Sequence, residues 1–231
     1  MRLGLAALAL GLVLTIFPAL DIAFSELFFA RDKMDFPLGD PLYNVSQVVQ
    51  FIFRWTPYVV LGALVAAFIP LLNQLLPSKR LLAHFLVCII LVPIFVVNDV
   101  FKDQFGRARP YKVEEFGGEL KFTGAFRVSD QCAVNCSFVS GDAAGGFTFL
   151  ALAFAARKRR RLWCWSAAGL GTAIGLVRIM EGRHFLSDVV VAGVVTAGCT
   201  YLIYLAFYRL SSTEDDQPDG EPNDAEAPAE P

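Results

Sequence analysis

Ionisable side chains stand at the edges of long apolar runs in this sequence. Three of them are cations, Lys102, Arg109 and Arg178, and His184 is followed four residues later by Asp188. Charged groups near a bilayer are costly and usually mark a function. Guanidinium and ammonium groups bind phosphate, and a histidine can attack phosphorus. The set therefore predicts phosphoryl chemistry, with His184, one of only two histidines, as the candidate nucleophile.

The candidate residues fall in three short segments, namely 102–110 (KDQFGRARP), 138–146 (FVSGDAAGG) and 178–188 (RIMEGRHFLSD). In the second segment, Ser140 offers a hydroxyl, and Gly141 lets the backbone approach an anion near a helix N-terminus. If residues 184–188 form the first turn of a helix, His184 and Asp188 share one face at positions i and i+4. Asp188 would then fix the tautomer of the imidazole and stabilise its charged form.

Composition points to a membrane protein, because 55% of the 231 residues are hydrophobic. A helix that spans a bilayer needs roughly 20 mostly apolar residues. Six stretches predict an all-α polytopic fold with six transmembrane helices, at about residues 3–20 (or to 30), 57–76, 81–97, 138–156, 162–180 and 185–208. The first stretch is predicted to be a span rather than a signal peptide, because no small-residue cleavage site closes it.

Two regions differ in composition. Residues 1–210 are predicted to form one integral membrane domain. Residues 211–231 are acidic and almost free of large apolar side chains, so they cannot bury enough surface to offset the entropy of ordering. This tail is therefore predicted to be disordered and cytoplasmic, without a specific role.

Basic residues in short loops set the predicted orientation. They stand at Arg2, at 79–80, at 157–161 and at Arg209, which places these loops and both termini on the cytoplasmic side. The run 157–161 (RKRRR) lies between two spans, so a nucleic-acid partner is not expected. The opposite, periplasmic face of the inner membrane then receives residues 31–56, 100–137 and 178–188.

Two cysteines, Cys132 and Cys136, lie in a polar loop on the predicted periplasmic side. That compartment permits disulfides, and a C-x3-C spacing can close in a turn. A zinc site would need further ligands, and none stands nearby in the sequence. The pair is therefore predicted to form a disulfide that ties the loop beside Ser140.

The order K-x6-RP, SG and R-x5-H-x3-D resembles the type 2 phosphatidic acid phosphatase (PAP2) superfamily over residues 81–208. The resemblance implies a helical core, no metal, no cofactor and a phosphohistidine intermediate on His184. It implies that Asp188 orients the nucleophile. It also implies that the substrate phosphate is bound by Lys102, Arg109, Ser140, Gly141 and Arg178.

The second motif departs from the family pattern, which usually reads PSGH where this chain reads VSGD. Asp142 stands in place of the histidine that protonates the leaving group in the family, and Val177 replaces a usual serine. Three interpretations of Asp142 stay open. It acts as a carboxylic acid kept protonated by its surroundings; the leaving group is a phosphate and needs no acid; or the protein binds lipid phosphates without turnover.

Three further residues near the motifs have open roles. Arg107 and Arg183 either reach substrate headgroups or are simply solvated, and Glu181 is interpreted as a surface group or a partner of Arg183.

These patterns predict a membrane lipid phosphatase with its site at the periplasmic boundary, acting on a phosphorylated lipid of the bilayer. The stretch 136–147 (CSFVSGDAAGGF) is similar to bacterial lipid A 4′-phosphatases within the superfamily, which favours a lipid A-type substrate. The alternatives are undecaprenyl diphosphate, phosphatidylglycerol phosphate or phosphatidate, or a non-catalytic protein that binds lipid phosphates.

Overall fold

The computed structural model describes residues 2–156 and 158–209, and the regular elements within these ranges are helical. Ten α-helices follow one another in this part of the chain: α1 (Arg2–Ile16), α2 (Ala19–Glu26), α3 (Gly39–Ala66), α4 (Pro70–Asn73), α5 (Lys79–Ile90), α6 (Asp103–Phe105), α7 (Gly141–Phe147), α8 (Leu150–Ala155), α9 (Arg160–Met180) and α10 (Leu186–Tyr208). The acidic tail at 211–231 lies outside the described residues.

Four of the described helical stretches are long and apolar enough to cross a membrane. They are α3, α5 with its π-helical continuation (Leu91–Lys102), α9 and α10. The helices α1 and α2 meet at a bend of 101° and add a fifth if they are one span. The all-α polytopic class is confirmed. Six spans are not, because the predicted span at 138–156 is built from the two short helices α7 and α8.

The second predicted span is displaced along the chain. We expected a loop at 31–56 and a span at 57–76, but α3 begins at Gly39 and ends at Ala66. Its first half is polar enough to resemble a loop in sequence. Two of its polar side chains face the protein instead, where Ser46 contacts Glu181 and Gln50 contacts Asp142. Partners inside the protein therefore let polar residues occupy a membrane helix.

The helices that carry the motifs pack closely through glycine. A Cβ placed on Gly146 of α7 would come within 2.8 Å of the Cα atom of Gly171 in α9. A Cβ on Gly171 would lie 2.4 Å from the ring of Phe147. The absence of side chains at these positions lets α7 lie directly against α9. This contact fixes the start of α7 relative to the end of α9, where Arg178 lies.

An aromatic cluster packs around the segments outside the long helices. The rings of Phe29, Phe36 and Phe116 lie 5.0–5.3 Å apart, in tilted and edge-to-face pairs. The same buried cluster includes Phe185, which immediately precedes α10. Burial of these rings holds the residue next to His184 in place.

The close contact of α7 and α9 predicts that alanine substitutions at two glycines of α9 differ in their effect on stability. Gly171→Ala forces a methyl group into Phe147, so we expect a loss of about 1–3 kcal/mol in unfolding free energy. Gly169→Ala is the matched control, because a Cβ there meets nothing within 4 Å. Thermal unfolding in detergent would compare the two, and equal melting temperatures would contradict the packing described here.

Candidate active site

His184 lies in the short connection between α9 and α10 and is only 1% exposed. Its Nδ1 is 2.8 Å from the carbonyl oxygen of Ser137 and 3.4 Å from Oδ2 of Asp188. Both partners are acceptors, so Nδ1 carries the hydrogen and Nε2 keeps its lone pair. Because α10 begins at Leu186, the expectation that His184 and Asp188 share a helical turn is wrong, although the two side chains do meet.

Burial is the main influence on the charge of His184. It lowers the pKa of the imidazole to about 4, because the charged form loses its hydration. The contact with Asp188 raises the pKa, and the nearby cations Arg109 and Lys102 lower it. The ring is therefore neutral at neutral pH, which is the form that can act as a nucleophile.

Asp188 lies in the first turn of α10, and hydrogen bonds engage both of its carboxylate oxygens. Oδ2 accepts from the backbone N–H of Phe185 at 2.8 Å and from the hydroxyl of Ser137 at 2.5 Å. Oδ1 accepts from Arg107 at 2.5 Å. With both oxygens engaged, the carboxylate is fixed next to the imidazole.

Arg107 and Asp21 extend this network into the protein. Both side chains are almost fully buried, and Nη2 of Arg107 lies 2.8 Å from Oδ2 of Asp21. Asp21 also accepts from the backbone N–H and the hydroxyl of Ser187 in α10. Neither interpretation of Arg107 from the sequence was right, because it contacts neither solvent nor an open headgroup site. The sequence signal that could have revealed the network is an acid, Asp21, within an apolar stretch.

The cations Lys102 and Arg109 meet at one residue, Asn135. Its Oδ1 accepts from Lys102 Nζ at 3.3 Å and from Arg109 Nη2 at 2.8 Å, and its carbonyl accepts from the same Nη2 at 2.9 Å. A disulfide between Cys132 and Cys136, the pairing that the sequence favours, closes the loop that carries Asn135. The sequence analysis missed Asn135, and only its position within the C-x3-C segment hints at a role.

Arg178, the third cation, lies in the last turn of α9, and two carboxylates contact its guanidinium group. Glu181 forms a hydrogen bond with Nη1 and accepts another from Ser46 at 2.6 Å. Glu181 is therefore buried, and the sequence interpretation of a surface group or an Arg183 partner is wrong. The Oδ2 atom of Asp142 lies 2.9 Å from Nε of Arg178. The two charges attract, but the geometry is not that of a hydrogen bond, so the Nε–H donor is unfilled.

The SG motif lies at the start of α7. Ser140 is buried and caps the helix, with its hydroxyl 3.4 Å from the backbone nitrogen of Ala143. Gly141 borders Lys102, whose Nζ would lie 3.5 Å from a Cβ at this position. The predicted residues of all three motifs therefore converge, but the hydroxyl of Ser140 is engaged in the cap. Within 2–156 and 158–209, no three His, Cys, Asp or Glu side chains are grouped to hold a metal ion.

An open groove of about 920 Å³ leads to this cluster between α3 and α5. Its polar lining includes Gln50, Arg54, Asn98, Lys102, Asn135 and Asp142. Its apolar lining includes Leu61, Leu86, Ile89, Ile90 and Ile94. One continuous groove thus joins a charged site to a hydrocarbon-like surface.

The buried ion pairs of Arg107 predict that a substitution of Asp21 in α2 lowers the stability of the protein strongly. Asp21→Ala leaves one side of the buried Arg107 unpaired, so we expect a loss of about 3 kcal/mol. Glu26→Gln is the matched control on the same helix, because it breaks only the exposed pair with Arg31 and should cost less than about 1 kcal/mol. Thermal unfolding in detergent measures both, and similar melting temperatures would argue against a structural role for Asp21.

Comparison with known proteins finds one matching family and several similar proteins. The family model of the PAP2 superfamily matches residues 81–212. A lipid A 4′-phosphatase of Francisella tularensis subsp. novicida (strain U112) is 35% identical over 201 residues, which are 84% of this chain and 89% of that protein. Proteins of the same name from Rhizobium leguminosarum and Rhizobium etli are each 30% identical. Those alignments cover 92% of this chain, and 96% and 87% of the two relatives.

No solved structure matches the chain significantly. The family model covers more than half of the sequence and includes every residue of the three motifs. The Francisella relative aligns along most of both chains. With the motifs gathered at one buried histidine, these matches establish that the chain belongs to the PAP2 superfamily.

Proposed function

We propose that this protein is a membrane phosphatase that removes a phosphate group from a lipid A-type lipid. The observation that carries the proposal is a neutral, buried His184 close to the cations Lys102 and Arg109, where Lys102 also lines the apolar groove. Membership of the PAP2 superfamily supports the reaction, and the three lipid A 4′-phosphatases support the substrate.

Phosphate binding is assigned to Lys102, Arg109 and Arg178. They come from different elements but are close enough to influence one another electrostatically. The unfilled Nε–H of Arg178 is a buried donor that a phosphate oxygen can satisfy. Three positive charges stabilise the negative charge on the equatorial oxygens during phosphoryl transfer.

The nucleophile in the proposed reaction is Nε2 of His184. It attacks phosphorus, a P–N bond forms and the bond to the leaving oxygen breaks, which gives a phosphohistidine. The ring gains positive charge in this step, and the Ser137 carbonyl and the Asp188 carboxylate at Nδ1 stabilise it. Water then attacks the phosphohistidine, and the P–N bond breaks to release inorganic phosphate and restore the imidazole.

Asp142 is the proposed acid for the leaving group. It lies beside Arg178 and receives a hydrogen bond from Gln50 at 3.2 Å. A bound phosphate competes with Asp142 for Arg178, which leaves the carboxyl group free to take up the proton that it donates. The proton passes to the leaving oxygen, and the resulting carboxylate accepts a proton from the water of the second step.

The groove supports an amphiphilic substrate in a bacterial membrane. Acyl chains can lie along its apolar wall while the phosphate reaches Lys102. The helix α5 begins at Lys79 and its π-helical continuation ends at Lys102, while α9 begins at Arg160 and ends two residues after Arg178. This polarity supports a site on the periplasmic side of the inner membrane with both termini in the cytoplasm.

Phosphate release by purified protein in detergent tests the proposed function. We expect hydrolysis of lipid A, and faster hydrolysis of lipid A than of undecaprenyl diphosphate when both compete. His184→Gln should lower the rate by more than about 10³-fold, because the reaction loses its nucleophile. His84→Phe is the matched control, because that histidine of α5 packs against the aromatic rings of Phe207 and Tyr208 in α10. Tight lipid binding without any phosphate release would support the non-catalytic alternative.

The role of Asp142 predicts a dependence on the leaving group. Asp142→Asn should slow monoester cleavage by about 10²-fold or more, because an alkoxide needs a proton to leave. Cleavage of a diphosphate should slow by less than about tenfold, because its phosphate leaving group needs little protonation. Asp142→His restores the usual family residue and should recover monoester cleavage. Equal slowing of both substrates by Asp142→Asn would remove the acid role.

A further inference from the structure

A second cavity, of about 420 Å³, adjoins the phosphate cations. It shares Arg109 and Asn135 with the site described above. The rest of its lining comes from the first motif and the two residues after it, from the third motif, and from the disulfide loop and the residue before it. It includes Tyr111, Lys112, Gln131 and Arg183. These residues lie outside the long apolar helices, so the cavity belongs to the headgroup side of the site rather than to the acyl-chain groove.

The lining of this cavity is rich in positive charge. Three cations line it, Arg109, Lys112 and Arg183, and its lining includes no carboxylate. Among the described residues, none of the three forms an ion pair with an acid. Burial and the like charges of Arg178 and Arg183 lower the pKa of Arg109, and the opposing effects of Tyr111 and Asp142 do not cancel this shift.

Lys112 and Arg183 both contact one aromatic ring. The guanidinium of Arg183 lies 4.8 Å from the ring centre of Tyr111, and the ammonium of Lys112 lies 5.7 Å from it. Cation–π contacts of this kind hold cations in place without neutralising them. The cavity therefore presents two oriented positive groups that the reacting phosphate does not need.

We propose that this cavity binds a second anionic group, carried on the sugar headgroup of the substrate that reacts at His184. The inference rests on the proposed function and adds a specificity site to it. A phosphate at this position meets Lys112 and Arg183, while Gln131 and Asn135 supply amides for sugar hydroxyls. Lys112 and Arg183 are thus specificity residues for a bisphosphorylated glycolipid.

Equilibrium binding to the His184→Ala protein tests this proposal without turnover. The two probes are lipid A with two phosphates and lipid A that keeps only the 4′-phosphate, both in detergent micelles. Lys112→Gln and Arg183→Gln, each added to His184→Ala, should weaken binding of the bisphosphorylated lipid about tenfold. Binding of the monophosphorylated lipid should change less than about twofold, because the second anion is absent.

Lys33→Gln is the matched control, since it removes an exposed cation on the same predicted side but outside the cavity. We expect it to leave the affinity for both lipids unchanged. Equal weakening of both lipids by Lys112→Gln and Arg183→Gln would overturn the proposal, and so would no weakening of either. These outcomes are independent of phosphate release, so failure of the second-anion site and failure of the phosphatase function are distinguishable.

Discussion

The buried guanidinium of Arg107, shared between Asp21 and Asp188, is the interaction on which the geometry of the site depends. It joins α2, the segment that follows Lys102 and the first turn of α10 at almost zero exposure. A buried charge that loses a partner is strongly destabilising, so separating the three segments has a large cost in free energy. Asp188, held in this way, in turn fixes Ser137 and the backbone of Phe185 around His184. The position of His184 is thus set by residues remote from it in sequence.

The remaining groups of the site are positioned by helix packing. Arg178 lies at the end of α9, and Asp142 lies in the first turn of α7, against the same helix. The close approach of Gly146 and Gly171 sets the relation of these two helices. Helix α3 then covers the pair through Ser46 and Gln50. Rigid helices therefore place the charged groups, and the loop at 132–136 adds an acceptor between Lys102 and Arg109.

From the sequence, the residues of the three motifs could be predicted better than the residues that hold them in place. The spacing of Lys102, Arg178 and His184 indicated residues that the fold does bring together, because each stands next to an apolar run. The start of α3 was missed, because hydropathy cannot tell a polar residue facing a protein partner from one in a loop. Glu181 and Arg107 were misread for a related reason. Whether a charge is buried depends on partners more than 80 residues away, such as Ser46 and Asp188.

The disulfide loop has a consequence for the proposed binding of phosphate by Lys102 and Arg109. Asn135 already supplies an acceptor to Lys102 and Arg109, so an incoming phosphate exchanges with an internal ligand instead of meeting two solvated charges. The net affinity for phosphate is then the difference between the hydrogen bonds that the cations make to phosphate and those that they make to Asn135. Inorganic phosphate, the product, faces the same competitor. An amide fixed in a short closed loop returns to the cations at little entropic cost. In the proposed reaction, Asn135 therefore weakens the binding of the inorganic phosphate product as well as the binding of the substrate.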